Sequence, residues 1–232
     1  MTFAWSGDTA GQGWSINREW GGMKCYETVR RDRPDFFVHC GDTIYADGPI
    51  MAEVPLPGDQ LWKNVVTEEV SKVAETLKEF RGRYAYNLMD DNARRMAAEV
   101  LQVWQWDDHE VTNNWSDAKD LSADKRYTDK NVQLLIGRAT RAFLEYAPLR
   151  YRGADESERV YRKISYGPLL DVFVNRHAQL PRPELLQPAG APRPGDRVPR
   201  RAAACVAEER TGEVEGAVEG RVGRHADRAP RR

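Results

Sequence analysis

Three aspartates stand just past short apolar runs. Asp8 follows Phe3-Ala4-Trp5-Ser6-Gly7, Asp42 follows Asp35-Phe36-Phe37-Val38-His39-Cys40-Gly41, and Asp108 follows Leu101-Gln102-Val103-Trp104-Gln105-Trp106-Asp107. Runs of this length, rich in aromatic and β-branched residues, read as strands. In open α/β sheets the ligand-binding edge lies at the carboxyl ends of the strands. Carboxylates gathered there would repel, by roughly 4 kcal/mol for two charges about 4 Å apart at an effective dielectric of about 20. A bound cation removes that repulsion, and hard oxygen ligands suit calcium, magnesium, manganese or ferric iron. Tyr45, three residues beyond Asp42, adds a phenol. A phenolate favours a strongly Lewis-acidic ion such as ferric iron. Two ions about 4 Å apart would clamp a phosphoryl group and activate a water.

Each residue also has a plainer reading. A lone aspartate after a strand is a turn former or a helix cap. The blocks Gly41-Asp42-Thr43-Ile44-Tyr45-Ala46-Asp47 and Asp107-Asp108-His109-Glu110 say more, because each packs several ionisable groups against an apolar run. His39, inside an apparent strand, is expected in the core, and Cys25 and Cys40 as buried thiols. Trp104, Trp106 and Trp115 are expected to pack rather than to stack on a ligand. Arg81, Arg83, Arg94 and Arg95 are expected on helix surfaces.

The elements that must position these groups alternate. Strands are expected at 3–6, 35–40 and 101–106. Helices are expected over Met23 to Arg31, Val66 to Phe80, Asp90 to Ala98 and Lys130 to Tyr146. Thr67 with Glu68 and Glu69 suits a helix start, and Asp90 suits a cap. Pro49, Pro55, Pro57 and Gly58 mark a long loop. Arg159 to Ile164 and Leu169 to Val174 close the pattern as a strand pair. This alternation implies an α/β sheet layered on both faces.

The 232 residues suit one domain of ordinary size. No apolar run approaches the roughly 18 residues of a membrane helix, and no signal peptide precedes Thr2-Phe3-Ala4-Trp5. Three cysteines make no disulfide framework or paired metal-ligand spacing. The net charge of −1 argues against a nucleic-acid-binding module. The averages conceal two segments. Every Trp, Tyr, Phe, Met, Lys and Ile lies at or before Val174, whereas 175–232 carries 12 Arg against 8 acidic residues and 7 of the 13 Pro. Such a tail buries too little apolar surface to offset its ordering entropy, so it is expected to be disordered.

The three blocks resemble the PhoD-type alkaline phosphatases, within the calcineurin-like metallophosphoesterases. They are Phe3 to Asp8, Asp35 to Asp47, and Trp106-Asp107-Asp108-His109-Glu110-Val111-Thr112-Asn113-Asn114-Trp115. The resemblance spans roughly residues 3–174. It implies the first half of an α/β/β/α sandwich, hydrolysis of small phosphate mono- or diesters, and a site of calcium and ferric iron. It also implies roles: Asp8, Asp42, Tyr45 and Asp108 as metal ligands, Asn113 as a further one, and His109 as the group that stabilises the leaving oxygen. Many members carry a cysteine iron ligand near the first strand, where this chain offers Asp8. Members are usually exported behind a signal peptide and a β-rich domain, neither of which this sequence contains.

On this reading residues 1–174 are the N-terminal half of a catalytic domain, and 175–232 are a tail translated out of frame. Arg176-His177-Ala178-Gln179-Leu180, written in codons and read one base later, gives Asp-Met-Arg-Ser-Tyr. The family carries an Asp-x-Arg-Ser-Tyr-Arg motif after the corresponding strand. His177 and His225 are then products of the frame and not ligands. Hydrolysis is expected to be impaired in the chain as written. The alternative is a non-catalytic metal-binding remnant or an unstable fragment. Reading the coding DNA is expected to show a one-base slip near Val174; one uninterrupted frame in independent reads would refute it.

Overall fold

The computed structural model describes residues 1–9, 13–149 and 160–175, together with the backbone of Val206–Glu209. It is a mixed α/β structure in which β1 (Phe3–Ser6), β2 (Phe36–His39) and β5 (Gln102–Trp104) form a parallel sheet ordered β1-β2-β5. β2 is buried along its whole length, as its unbroken apolar run requires of a strand covered on both faces. The register pairs Ser6 with His39, and His39 with Trp104. The three carboxyl ends therefore lie level, and the segments bearing Asp8, Asp42 and Asp108 leave the sheet from one edge.

Alternation along β2 sets the layers. Phe37 faces Met96 and Val100, with Ala4, Tyr26 and Val29 packed beside them. These come largely from α1 (Lys24–Asp32) and α3 (Asp91–Glu99) and the residues flanking them. Asp90 caps α3 as expected, accepting from the Asn92 and Ala93 amides at 2.9 and 3.0 Å. Phe36 and Val38 face the other way, with Val103, onto Leu170, Val172 and Val174. Those belong to β7 (Leu170–Val174), which pairs antiparallel with β6 (Arg162–Tyr166) and with β8 (Val206–Glu209). The amide of Gln105 joins the two sheets. It donates to the Asn175 carbonyl at 2.6 Å and accepts the Asn175 N–H at 2.9 Å.

The largest core lies beyond β5. Here α2 (Leu77–Asn87) and α4 (Val132–Tyr146) close over Trp106, Leu121, Leu135 and Phe143. Trp106 meets Phe143 edge to face at 5.0 Å. Burial of each such side chain contributes about 1.5–3 kcal/mol. Trp106 and Trp115 are packing residues, as expected.

Four expectations are corrected. No helix runs from Val66 to Phe80. A single 3-10 turn at Glu68–Val70 is followed by extended chain, and α2 begins only at Leu77. The apolar period there is overridden because the backbone is committed elsewhere. The Val70 carbonyl accepts from Ile50, the Ala74 N–H donates to Ala46, and the Lys72 carbonyl accepts from Arg83. Thr76 and Glu79 then form a reciprocal capping box that starts the helix. Second, the proline-rich loop contains a hairpin of β3 (Glu53–Leu56) and β4 (Gln60–Lys63). Gly58 and Asp59, at φ 75° and 56°, make its turn, so the Gly-Asp pair was a hairpin signal inside the proline pattern. Third, Arg83 is buried, and fourth, Cys25 is exposed. The strand expected at Arg159 to Ile164 is β6, which begins three residues later and ends two residues later. Apart from Asn175 and β8, the expected out-of-frame tail lies outside the described residues. Among the described residues no helix is long and apolar enough to cross a membrane.

The two threonines give a direct test of where the helix begins. Thr76→Ala is expected to lower the unfolding free energy by about 1 kcal/mol through loss of the cap. Thr67→Ala is expected to change it by less than about 0.5 kcal/mol. Urea denaturation of the two variants checks the difference.

Candidate metal centre

The site is built on two tight turns. Asp8 and Asp42 both adopt left-handed backbone, at φ 56° and 48°. Non-glycine residues rarely do so, and such strain gathers at functional sites. The two turns hold each other: the Asp8 amide donates to the Gly41 carbonyl and the Thr9 amide to the Asp42 carbonyl, both at 3.0 Å. Gly41, at φ 112°, has no room for a side chain, since an added Cβ would lie 2.7 Å from the Asp107 Cβ. The Gly-Asp step thus lets the second and third strand-end loops touch.

A buried carboxylate braces the same junction. Glu110 is wholly buried, and its two oxygens accept the Thr43 amide at 2.6 Å and the Asp107 amide at 2.8 Å. Burial, with the Asp42 charge nearby, pushes its carboxyl well up from the usual carboxylate range. Arg83 holds the segment after Asp42 in the same manner. Its guanidinium donates to the Tyr45 carbonyl at 2.9 Å, to the Gly48 carbonyl at 2.6 Å, and to Lys72.

Asp42, Asp108 and His109 each present a ligand atom within 4.8 Å of the others. The Asp42 carboxylate also accepts the His109 backbone N–H at 3.1 Å. The Tyr45 ring lies against the His109 ring, centroids 4.4 Å apart, and Tyr45 hydrogen-bonds to Asp8 at the outer rim. Asp8, Asp42, Tyr45, Asp108 and His109 are therefore brought together. Asn113 enters through its backbone: its N–H donates to Asp47 at 2.9 Å, and its carbonyl accepts from Lys119. Its side chain is exposed.

Charge is poorly balanced here. Burial first, and then the neighbouring charge of Asp107, push the Asp42 carboxyl up to about 7. Burial and the carboxylates of Asp42 and Asp8 push the Tyr45 phenol up. Burial opposes charge on His109, but the bond to Asp47 and the charges of Asp47, Asp42 and Asp108 outweigh it and hold the ring at about 9. A desolvated carboxylate facing like charges is the environment a cation relieves. The donor set, oxygen-rich with one imidazole, fits a divalent metal. Asp47, Glu110 and Arg83 were missed as positioning groups. The first two stood inside the motif blocks, but their partners depend on the tertiary path; Arg83 carried no local signal.

The chain is similar to known proteins. A family model described as PhoD-like phosphatase matches residues 3–193. Alkaline phosphatase D of Bacillus subtilis (strain 168) is 30% identical over 153 residues, which cover 65% of this chain and 24% of the relative. A solved structure described as "Structure of PhoD" is similar with a TM-score of 0.51 at 29% identity, covering 73% of this chain and 30% of that one. The chain thus spans about a quarter of the length of the curated relative it matches.

The charge imbalance predicts a pH dependence of stability. Asp42 and His109 both have folded pKa values, about 7 and about 9, above their ordinary 3.8 and 6.5. The fold favours the protonated form of each. Their contribution is therefore complete at low pH and is lost as pH rises through about 7 and then about 9. The metal-free chain is expected to unfold at progressively lower urea between pH 5 and 9. Saturating calcium or manganese is expected to restore stability at the high end. A flat profile without metal would contradict the imbalance.

Proposed function

The chain belongs to the PhoD-like phosphatase family, and from that membership we propose that its strand-end rim serves metal-dependent hydrolysis of phosphate mono- or diesters. The observation that carries this reading is the convergence of Asp42, Asp108 and His109 within 4.8 Å at the edge where three parallel strands end. In this reading Asp8, Asp42, Tyr45, Asp108 and Asn113 hold calcium and ferric iron. Bound cations would polarise the phosphoryl oxygens and make a water acidic enough to attack. The chain's own groups then have distinct tasks. Asp42, lying between the other two strand-end loops, would be shared by the ions. Tyr45, whose phenol resists ionisation, calls for the more Lewis-acidic of them. His109, bonded to Asp47 through Nδ1, faces the same rim, which suits stabilisation of a departing oxygen. The partially formed α/β/β/α sandwich of the family agrees with the helix, sheet, sheet succession across β2 and β7.

The purified chain is expected to bind calcium or manganese, with Trp106 and Trp115 as fluorescent reporters. Asp42→Asn is expected to weaken binding on the order of 100-fold, about 2.7 kcal/mol. Weak hydrolysis of p-nitrophenyl phosphate and bis-p-nitrophenyl phosphate, abolished by EDTA, is the expected activity. Binding without any turnover would favour a non-catalytic metal-binding chain instead, and absence of binding would overturn the reading.

A further inference from the structure

Behind the rim lies a cavity of about 40 Å³, lined by residues of the first two strand-end loops, β5, α2 and α3. Thr9 and Thr43, which follow Asp8 and Asp42 in the chain, contribute to it, and so do Tyr84, Asn87, Trp104 and Tyr146. Two of these residues carry buried hydroxyls that meet no group of the chain, Tyr84 Oη and Thr43 Oγ1. Tyr84 is 2% exposed and Thr43 4%. Thr9 differs: its Oγ1 lies 2.7 Å from Tyr26 Oη and 2.9 Å from His39 Nε2.

Neither orphaned hydroxyl is free to turn away. The Tyr84 ring stacks on Trp104 at 6.1 Å and on Tyr146 at 5.3 Å, within 16° and 19° of parallel. The backbone of Thr43 is held on both sides. Its N–H donates to Glu110 at 2.6 Å, and its carbonyl accepts from Asn87 Nδ2 at 2.8 Å. A β-branched side chain on a fixed backbone has few rotamers to choose from. A buried hydroxyl left unmet loses its hydration and gains nothing in return. The cavity between such groups therefore calls for a ligand.

Size and chemistry decide which ligand. No charged side chain lines the cavity, so the ligand is neutral. A cavity that takes a benzene ring measures roughly 150 Å³, whereas a water needs only roughly 10–15 Å³ and two to four polar partners. The space suits water and excludes a ring.

We propose that this cavity is a binding site for ordered water, and that the water joins Thr43 Oγ1, beside Asp42, to Tyr84 Oη on α2. The link adds to two direct ones from the same helix, Arg83 to the Tyr45 and Gly48 carbonyls and Asn87 to the Thr43 carbonyl. α2 thus holds the loop after Asp42 at three successive points, the water supplying the one that no side chain spans. The site requires neither a cation nor turnover, and it stands apart from the phosphoester reading.

Tyr84→Phe and Thr43→Val each remove one hydroxyl with little change of shape, and the sign of their effect separates a wet cavity from a dry one. With water bound, each variant costs the water a partner, and the urea midpoint is expected to fall in both. The loss in the double variant is expected to be smaller than the sum of the two, because the hydroxyls share one water. In a dry cavity each change removes an unmet polar group, so a midpoint that rises or stays level overturns the proposal. Losses that simply add overturn the shared water. Oxygen-17 relaxation dispersion of the solvent gives a direct count of long-lived buried waters. The parent chain is expected to hold at least one more than Tyr84→Phe, and an equal count overturns the proposal. That comparison stands even where Thr43→Val fails to fold.

Discussion

Parallel strands in register deliver their ends to the same place, and here each end delivers an acid. Ser6, His39 and Trp104 lie abreast. The loops that follow therefore have little freedom to keep Asp8, Asp42 and Asp108 apart. At separations of about 4 Å their repulsion reaches roughly 4 kcal/mol a pair at an effective dielectric of about 20. That is comparable with a sizeable part of a domain's net stability. Much of the surrounding structure can be understood as holding this arrangement in place. Glu110 ties two of the loops by their amides, Arg83 ties the segment after Asp42 by its carbonyls, and the turns at Asp8 and Asp42 bond to each other.

The bracing groups follow one pattern. Buried side chains with several hydrogen-bonding atoms take the place of secondary structure where the chain has none. Glu110 accepts two amides, and Glu75 accepts the Thr128 and Asp129 amides at 2.6 and 2.7 Å. Arg83 donates to three carbonyls. Irregular backbone carries polar groups that must be satisfied once buried. A single multidentate side chain satisfies two or three of them at once and leaves the loop rigid. Rigidity matters at a metal centre because ligands that wander must be reordered when an ion binds.

What the sequence disclosed followed what is local. The unbroken Phe36-Phe37-Val38 run announced a strand covered on both faces, and Asp90 before an amphipathic stretch announced a cap. The acids at the strand ends were legible because their position depends only on where each strand stops. Failures came where distant residues decide. The segment from Val66 has a helical period, but its carbonyls and amides are claimed by the 46–50 loop and by Arg83, which no window of sequence reveals. Arg83 looked like a surface residue of a helix because its partners are 11 to 38 positions away. Asp47 was visible within its block, but its pairing with a histidine 62 residues later was not. The hairpin from Glu53 was hidden by its own prolines, one of which, Pro55, sits in a two-stranded ribbon where a missing N–H is tolerated.

The left-handed turns at Asp8 and Asp42 have an evolutionary corollary. An aspartate in that conformation is less comfortable than glycine by about 1 kcal/mol. At these two positions mutation toward a sturdier fold and mutation toward an inert one run in the same direction. A lineage released from the need to bind ions would find glycine there an easy improvement.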